Sequence, residues 1–508
     1  VLCADKINNK RIIVSMYYIG YDIGSSSVKA ALVEAETGKK VIVLNEPQNE
    51  MEILSIHPDW AEQDPEIWWQ YICTATKRAI KEANIDASKI QGIGISYQMH
   101  GLVIVDNDGN ALRNSIIWCD SRAVEIGNKA FAEIGEEKCM SHLLNSPGNF
   151  TASKLKWVKE NEPQLYSKID KYMLPGDYIA LKLTGEVTTT KNGLSEGMLW
   201  DYKDNKVADW LLEYYGIDKS LTPKIVENFT NQGVVTEKAS KESGLPAGIP
   251  IVYRAGDQPN NALSLNVLRP GEVAATGGTS GVFYAVTETN SGKSTRVNNF
   301  VHVNYAESNP RVGKLLNING AGIQYRWMRN NIGNESYEEM NEKASQINVG
   351  SQGLVVIPFG NGAERMFNNK NIGSHILNLN FNIHTNAHLF RASLEAIAFS
   401  FVYGMECLKD DNATINVIRA GNDNLFRSEI FSNTVATLIG HEIEIYNTTG
   451  AVGAARAVGL TDGDFEKFGS GITTNDHVMT FLPLKNKEEY EAAYQKWKKE
   501  LELILTTK

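Results

Sequence analysis

The sequence predicts an α/β protein made of two domains of similar topology that face each other across a cleft. Three observations lead there. A chain of 508 residues is longer than a single hydrophobic core usually organises, so two domains of roughly 200 to 250 residues are expected. A strand, a turn of glycine and serine, and a second strand occur at 18–33 and again at 271–286. In both halves, amphipathic helices follow the strands.

The order of elements begins at Met16. Residues 1–15, VLCADKINNKRIIVS, carry no apolar run followed by a small-residue cleavage site and are given no function. From Tyr17 the run YYIGYDIG reads as a strand, then come SSS, a second strand VKAALVEA, a turn at Thr37-Gly38-Lys39 and a third strand VIVLNE. Successive hairpins of this kind differ from the strand–helix–strand order of a dinucleotide fold.

Residues 64–86 then place Ile67, Trp68, Ile72, Ala75 and Ile80 at near-helical spacing behind Pro65. IQGIGIS is a strand that ends in the polar segment Tyr97-Gln98-Met99-His100-Gly101. A further strand, LVIVD, reaches a hairpin-type turn at Asn107-Asp108-Gly109. The second domain is expected over 271–508, after a first over 16–270. It carries helices at 388–408 and 425–439, and a final one at 484–504 whose inner stripe is Tyr490, Ala493, Trp497 and Leu501.

Composition narrows the function. The net charge of −10 comes from 50 basic and 60 acidic residues; these are scattered, which argues against nucleic acid as a partner. Phosphates held by backbone N–H groups and a metal ion need no basic surface. The five cysteines are odd in number and include no C-x-x-C pair, so a reducing, cytoplasmic setting is expected. No apolar run reaches the roughly 18 to 20 residues of a membrane span.

Phosphoryl transfer needs donors around the β- and γ-phosphates, a carboxylate near the metal and a base for the attacking hydroxyl. Asp22 ends a strand and precedes Gly24-Ser25-Ser26-Ser27. Its carboxylate can serve a phosphate-bound Mg²⁺, or it can simply cap the turn. In Gly277-Gly278-Thr279-Ser280-Gly281, three residues lack side chains, so a phosphate can approach and Thr279 can donate to it. Asp257 follows the apolar run IPIVY within Ala255-Gly256-Asp257-Gln258. It is the candidate base and a second candidate metal ligand, with Gln258 placed to hold neighbouring hydroxyls; starting the next helix is its structural alternative.

His100 can donate to a sugar hydroxyl while Met99 covers an apolar face of the sugar. Asp120, in Trp118-Cys119-Asp120-Ser121-Arg122, either binds hydroxyls or pairs with Arg122. Arg419-Ala420-Gly421-Asn422-Asp423-Asn424 lies between a strand and a helix. Small residues at 448–454 suit either a flat ligand or close helix packing, with packing expected at Gly453 and nucleotide contact at Gly421.

Taken together, these segments resemble the FGGY carbohydrate kinase family, most of all its xylulokinase branch, from about Tyr17 to beyond Leu460. The resemblance implies two ribonuclease H-like, actin-like ATPase domains with sugar and ATP meeting between them, Mg²⁺ as cofactor, and a homodimer as a compatible assembly. Asp22–Ser27 resembles the family's first phosphate loop and Gly278–Gly281 its second. His57-Pro58-Asp59-Trp60-Ala61-Glu62-Gln63-Asp64-Pro65 is similar to a xylulokinase signature, with Asp59 where glycine is usual. Thr151-Ala152-Ser153-Lys154-Leu155-Lys156-Trp157 is similar to another signature, in which Lys154 and Trp157 are expected to be structural.

By the same resemblance Met99, His100, Trp118, Asp120, Asp257 and Gln258 fall in the sugar site. Gly24, Ser25, Ser26, Thr279, Gly322, Gly421 and Asn424 fall in the nucleotide site. Gln258 is more like the glycerol kinase branch. The implied reaction transfers the γ-phosphoryl group of ATP to the 5-hydroxyl of D-xylulose, with another ketose or polyol such as ribulose or glycerol as the alternative acceptor. A member that binds sugar without catalysis is the alternative from outside the enzymes.

Overall fold

The computed structural model describes residues 15–288, 294–333, 335–461 and 463–507. The expectation for residues 1–15 falls, except for residue 15, outside them.

Two mixed sheets organise the chain. The first has the order Lys40–Glu46, Val28–Glu34, Tyr17–Ile23, Ile90–Tyr97, Ile251–Gly256. Its first three strands are antiparallel hairpins, while 90–97 runs parallel to 17–23 and 251–256 parallel to 90–97. The second sheet repeats this plan with Val312–Ile318, Gly281–Thr287, Glu272–Gly277, Val417–Gly421 and Ile443–Tyr446. Again the first pairs are antiparallel and the last two parallel. Asn298–Val301 and His477–Phe481 extend its two edges.

Between Val28 and Val33 the central hairpin strand is buried on both faces except at Lys29. Along Val28–Glu34 the valine and alanine side chains are buried while Lys29 faces solvent, and Lys29 pairs in register with Asp22. The apolar face of each sheet needs a covering helix. Pro65–Glu82 starts on an Asp64 cap and buries Trp68, Trp69, Ile72, Ala75 and Ala79. The long helix Asn386–Asp410 does the same for the second sheet.

The C-terminal helix runs Lys487–Thr507 and buries Tyr490, Tyr494, Trp497 and Leu501. The helix expected at 425–439 is a 3₁₀ turn, Asn424–Arg427, followed by an α-helix Glu429–Ile439 that Ser428 caps. At 107–109 the hairpin shrinks to a single bridge, Val105 with Ala111. Asp106 takes the amides of Asp108 and Asn110 in that turn, and Val103–Val105 pairs instead with Lys171–Met173.

One helix ties the halves together. Gly450–Ala457, late in the chain, lies on the first sheet. Its approach is so close that a Cβ on Gly20 would stand 2.1 Å from the Ala451 carbonyl oxygen, and one on Gly94 1.8 Å from that of Ala454. Gly453 meets Ser264 in the same way, the packing expected of it.

Candidate active site

The strand Ile251–Gly256 is buried along its whole length and stops at Asp257, the first residue of the helix Asp257–Ser264. Asp257 is half-buried there. Burial, and next the nearby charge of Asp22, push its carboxyl up to about 7, partly offset by hydrogen bonding with Gln258 and by the Lys29 ammonium. Asp22, at the end of Tyr17–Ile23, accepts a hydrogen bond from the Ser96 hydroxyl at 3.0 Å. Two carboxyls that repel one another in a partly dry site suit a divalent cation with oxygen ligands. These residues therefore fit the Mg²⁺ expected from the sequence.

The loop after Asp22 is closed by the Gly24 amide on the Ser27 carbonyl at 3.0 Å. The Ser25 hydroxyl accepts weakly from the Trp118 indole at 3.4 Å, and Ser26 is exposed. The second loop is braced by Gly322, whose amide donates to the Gly278 carbonyl at 3.0 Å. Next to it lies a cavity of about 720 Å³ lined by Gly278, Thr279, Gly322, Tyr325, Asn424 and Arg427, among others. Its size is that of a small-molecule site. The fold thus brings Thr279, Gly322 and Asn424 together. Gly421 ends its strand just before Asp423 and does not line this cavity. Lys29 lies within electrostatic reach of both Asp257 and Asp423.

His100 adopts φ +43°, an uncommon backbone state for a non-glycine residue. Its amide donates to Glu196 at 3.3 Å and its carbonyl accepts from the buried Lys154 ammonium at 3.1 Å. The ring packs edge-on to Phe150, and burial together with the Lys154 charge keeps the imidazole well below its ordinary pKa, hence neutral. Met99 is buried beside it.

Trp118 is 50% exposed, whereas Asp120 is 0% exposed. Both Asp120 oxygens are engaged: Arg122 holds the carboxylate through its backbone and guanidinium, and the Ala61 amide donates at 2.7 Å. Of the two readings of Asp120, the geometry matches pairing with Arg122. Arg122 in turn lies 3.9 Å from the centre of the Trp60 ring and 4.8 Å from that of Trp157. Three separated sequence signatures thus form one stack behind the site.

Sequence reading missed Lys29, Tyr325, Arg427 and Glu196. A lone lysine in the otherwise apolar run VKAALV was a usable signal for Lys29. Glu196 gave none, since it ends a six-residue helix, Lys191–Glu196, with no recognisable pattern.

The profile of the FGGY family of carbohydrate kinases, N-terminal domain, matches residues 17–264, and that of the C-terminal domain matches 273–460. The xylulose kinase of Escherichia coli K12 is 29% identical over 446 residues, 86% of this chain and 88% of that protein. The xylulose kinase of Bacillus subtilis is 27% identical, with 89% of each covered. Among solved structures, xylulose kinase from Rhodospirillum rubrum superposes with a TM-score of 0.85 at 25% identity, covering 96% of this chain and 99% of that one. Plasmodium falciparum glycerol kinase with ADP superposes at 0.87 and 21% identity over 97% and 98%, a likeness of fold. Among the described residues, no helix is long and apolar enough to cross a membrane.

Proposed function

The chain belongs to the FGGY family of carbohydrate kinases and is an ATP-dependent sugar kinase; from that premise we propose that its acceptor is D-xylulose and its product D-xylulose 5-phosphate. The observation that carries the mechanism is the presentation of Asp257 at the mouth of a buried strand, beside Asp22 and with a raised pKa. The similarity to xylulose kinases and the Met99–His100 turn support the choice of sugar.

Asp257 accepts the proton of the acceptor hydroxyl as its oxygen forms a bond to the γ-phosphorus and the bond from that phosphorus to the β–γ bridging oxygen breaks, releasing ADP. Asp22 and Asp257 would hold Mg²⁺, which when bound supplies charge neutralisation to the phosphates. Backbone amides near Ser25 and Thr279 stabilise the transferring oxygens. Neutral His100 and Gln258 orient the sugar. Closure of the two domains over the sugar excludes water as a competing nucleophile. The four described cysteines are unpaired, which fits a cytoplasmic enzyme.

The test is ADP release with Mg·ATP across D-xylulose, L- and D-ribulose, D-fructose, glycerol and short polyols. A strong preference for D-xylulose is expected. Preference for another acceptor replaces the sugar and keeps the mechanism, while sugar-independent behaviour with all of them removes the reading.

A further inference from the structure

Glu196 is 1% exposed and stands where two functional segments meet. One of its oxygens, Oε1, accepts the His100 amide. The other, Oε2, lies against the Gly256–Asp257 junction: a Cβ on Gly256 would stand 2.2 Å from it and 2.6 Å from Cγ of Met99. Oε2 has no hydrogen-bond partner among the described residues, and neither has the Tyr97 hydroxyl. The Tyr97 side chain and the Glu196 carboxyl lie close enough for each to perturb the other's ionisation.

The helix that ends in Glu196 is itself fixed. Asn192 donates to the Arg254 carbonyl at 3.3 Å, in the strand that presents Asp257. Ser195 accepts the Val301 amide at 2.9 Å, from the second sheet. A buried carboxyl is an expensive choice for mere filling, since an apolar side chain of equal size avoids the desolvation.

We infer that Glu196 is a positioning residue of the acceptor site, clamping the His100 turn through its amide and bracing the Gly256–Asp257 junction against that turn. A single side chain then sets the spacing between the group that orients the sugar and the group that takes its proton. A backbone amide drawn into the interior needs an acceptor, and the buried Glu196 carboxyl provides one for His100. Burial is the main cause that raises the Glu196 carboxyl far above the ordinary carboxylate range, and the charges of Asp257 and Asp177 add to it. The clamp needs only an acceptor oxygen at the Oε1 position, and a glutamine amide carries one.

The inference rests on the kinase reading for its kinetic consequence, but the clamp can be measured without any ligand. Glu196→Gln keeps the volume and the acceptor oxygen; Glu196→Met keeps the volume and removes the oxygen. Hydrogen–deuterium exchange of segment 97–101 in the free protein is expected to match wild type in E196Q and to quicken about tenfold or more in E196M. In steady-state kinetics E196M is expected to raise the acceptor KM about tenfold while the KM for ATP stays within about twofold, with E196Q restoring the wild-type value.

Unchanged exchange in E196M overturns the clamp. Faster exchange with an unchanged acceptor KM overturns its role in the site. Equal rises in both KM values, or a loss in E196Q as large as in E196M, mark a structural residue and overturn it as well. If E196M does not fold, E196Q decides, since loss of protection or of acceptor affinity there sinks the inference and retention supports it. Absence of sugar-dependent ADP from the wild type removes the kinase reading, and the exchange experiment still judges the clamp.

Discussion

A side-chain carbon at Gly450 would stand 2.6 Å from Oδ2 of Asp22. The start of a helix from late in the chain is therefore packed directly on the candidate metal carboxylate, and the Asn260 amide ties the same turn down by donating to the Gly450 carbonyl at 2.9 Å. Gly450→Ala is expected to displace Asp22 and cut turnover by about tenfold or more, with a raised Mg²⁺ requirement in a metal titration. Wild-type kinetics in this variant would show that Asp22 has room to spare.

Asp257→Asn is expected to lower turnover by on the order of 10² or more. The raised carboxyl also fixes a sign for stability. A carboxyl whose pKa is about 7 in the fold and near the ordinary value of about 4 when unfolded opposes folding when ionised. That penalty is full above about pH 7 and fades as pH falls toward the unfolded value. Thermal unfolding at pH 8 should therefore show Asp257→Asn more stable than wild type, with the difference shrinking at pH 5.

The same group sets an activity limb. Asp257 accepts a proton only when ionised, so kcat/KM for the acceptor is expected to fall as pH drops through about 7. A profile flat down to pH 5 would remove Asp257 as the base that limits the rate.

Lys154 is 0% exposed and donates to the carbonyls of His100, at 3.1 Å, and Ile117, at 2.9 Å. Burial lowers its ammonium to about 7, and either protonation state still donates. Lys154→Met leaves the His100 carbonyl without that donor, a cost of about 1–3 kcal/mol, while the Ile117 carbonyl keeps the Asp120 amide at 3.2 Å. Denaturant unfolding should register a loss of that order, and the acceptor KM should rise.

On the nucleotide side, a Cβ on Gly322 would stand 2.3 Å from the Gly278 carbonyl oxygen. Gly322→Ala is expected to push the second loop out of place, away from the proposed phosphate site. The expected result is a KM for ATP raised about tenfold with the acceptor KM little changed; a change in the acceptor KM alone would contradict the assignment of this loop.

Much of this molecule could be read before folding was considered. The hairpins at 17–46, the helix behind Pro65, the strand into Asp257 and the repeat of the whole plan after Gly271 all follow from apolar runs, periodicity and turn chemistry, which act between residues close in sequence. The loops around Gly24 and Thr279 were visible because a close backbone approach needs small residues. The small-residue helix at 450–457 was legible as a place of close contact, though not as the element that meets the first sheet.

The sequence by itself determined the two-sheet α/β plan, the family and the candidates for phosphate and proton chemistry, because each is written in local pattern. Only the tertiary structure decided that Asp120 is consumed by Arg122, that Gly421 stands outside the cavity while Tyr325 and Arg427 line it, and that Glu196 lies between His100 and Gly256. Those outcomes depend on which distant segments share a buried volume. There, desolvation makes every unpaired polar atom costly, and the partner that satisfies it can come from anywhere in the chain.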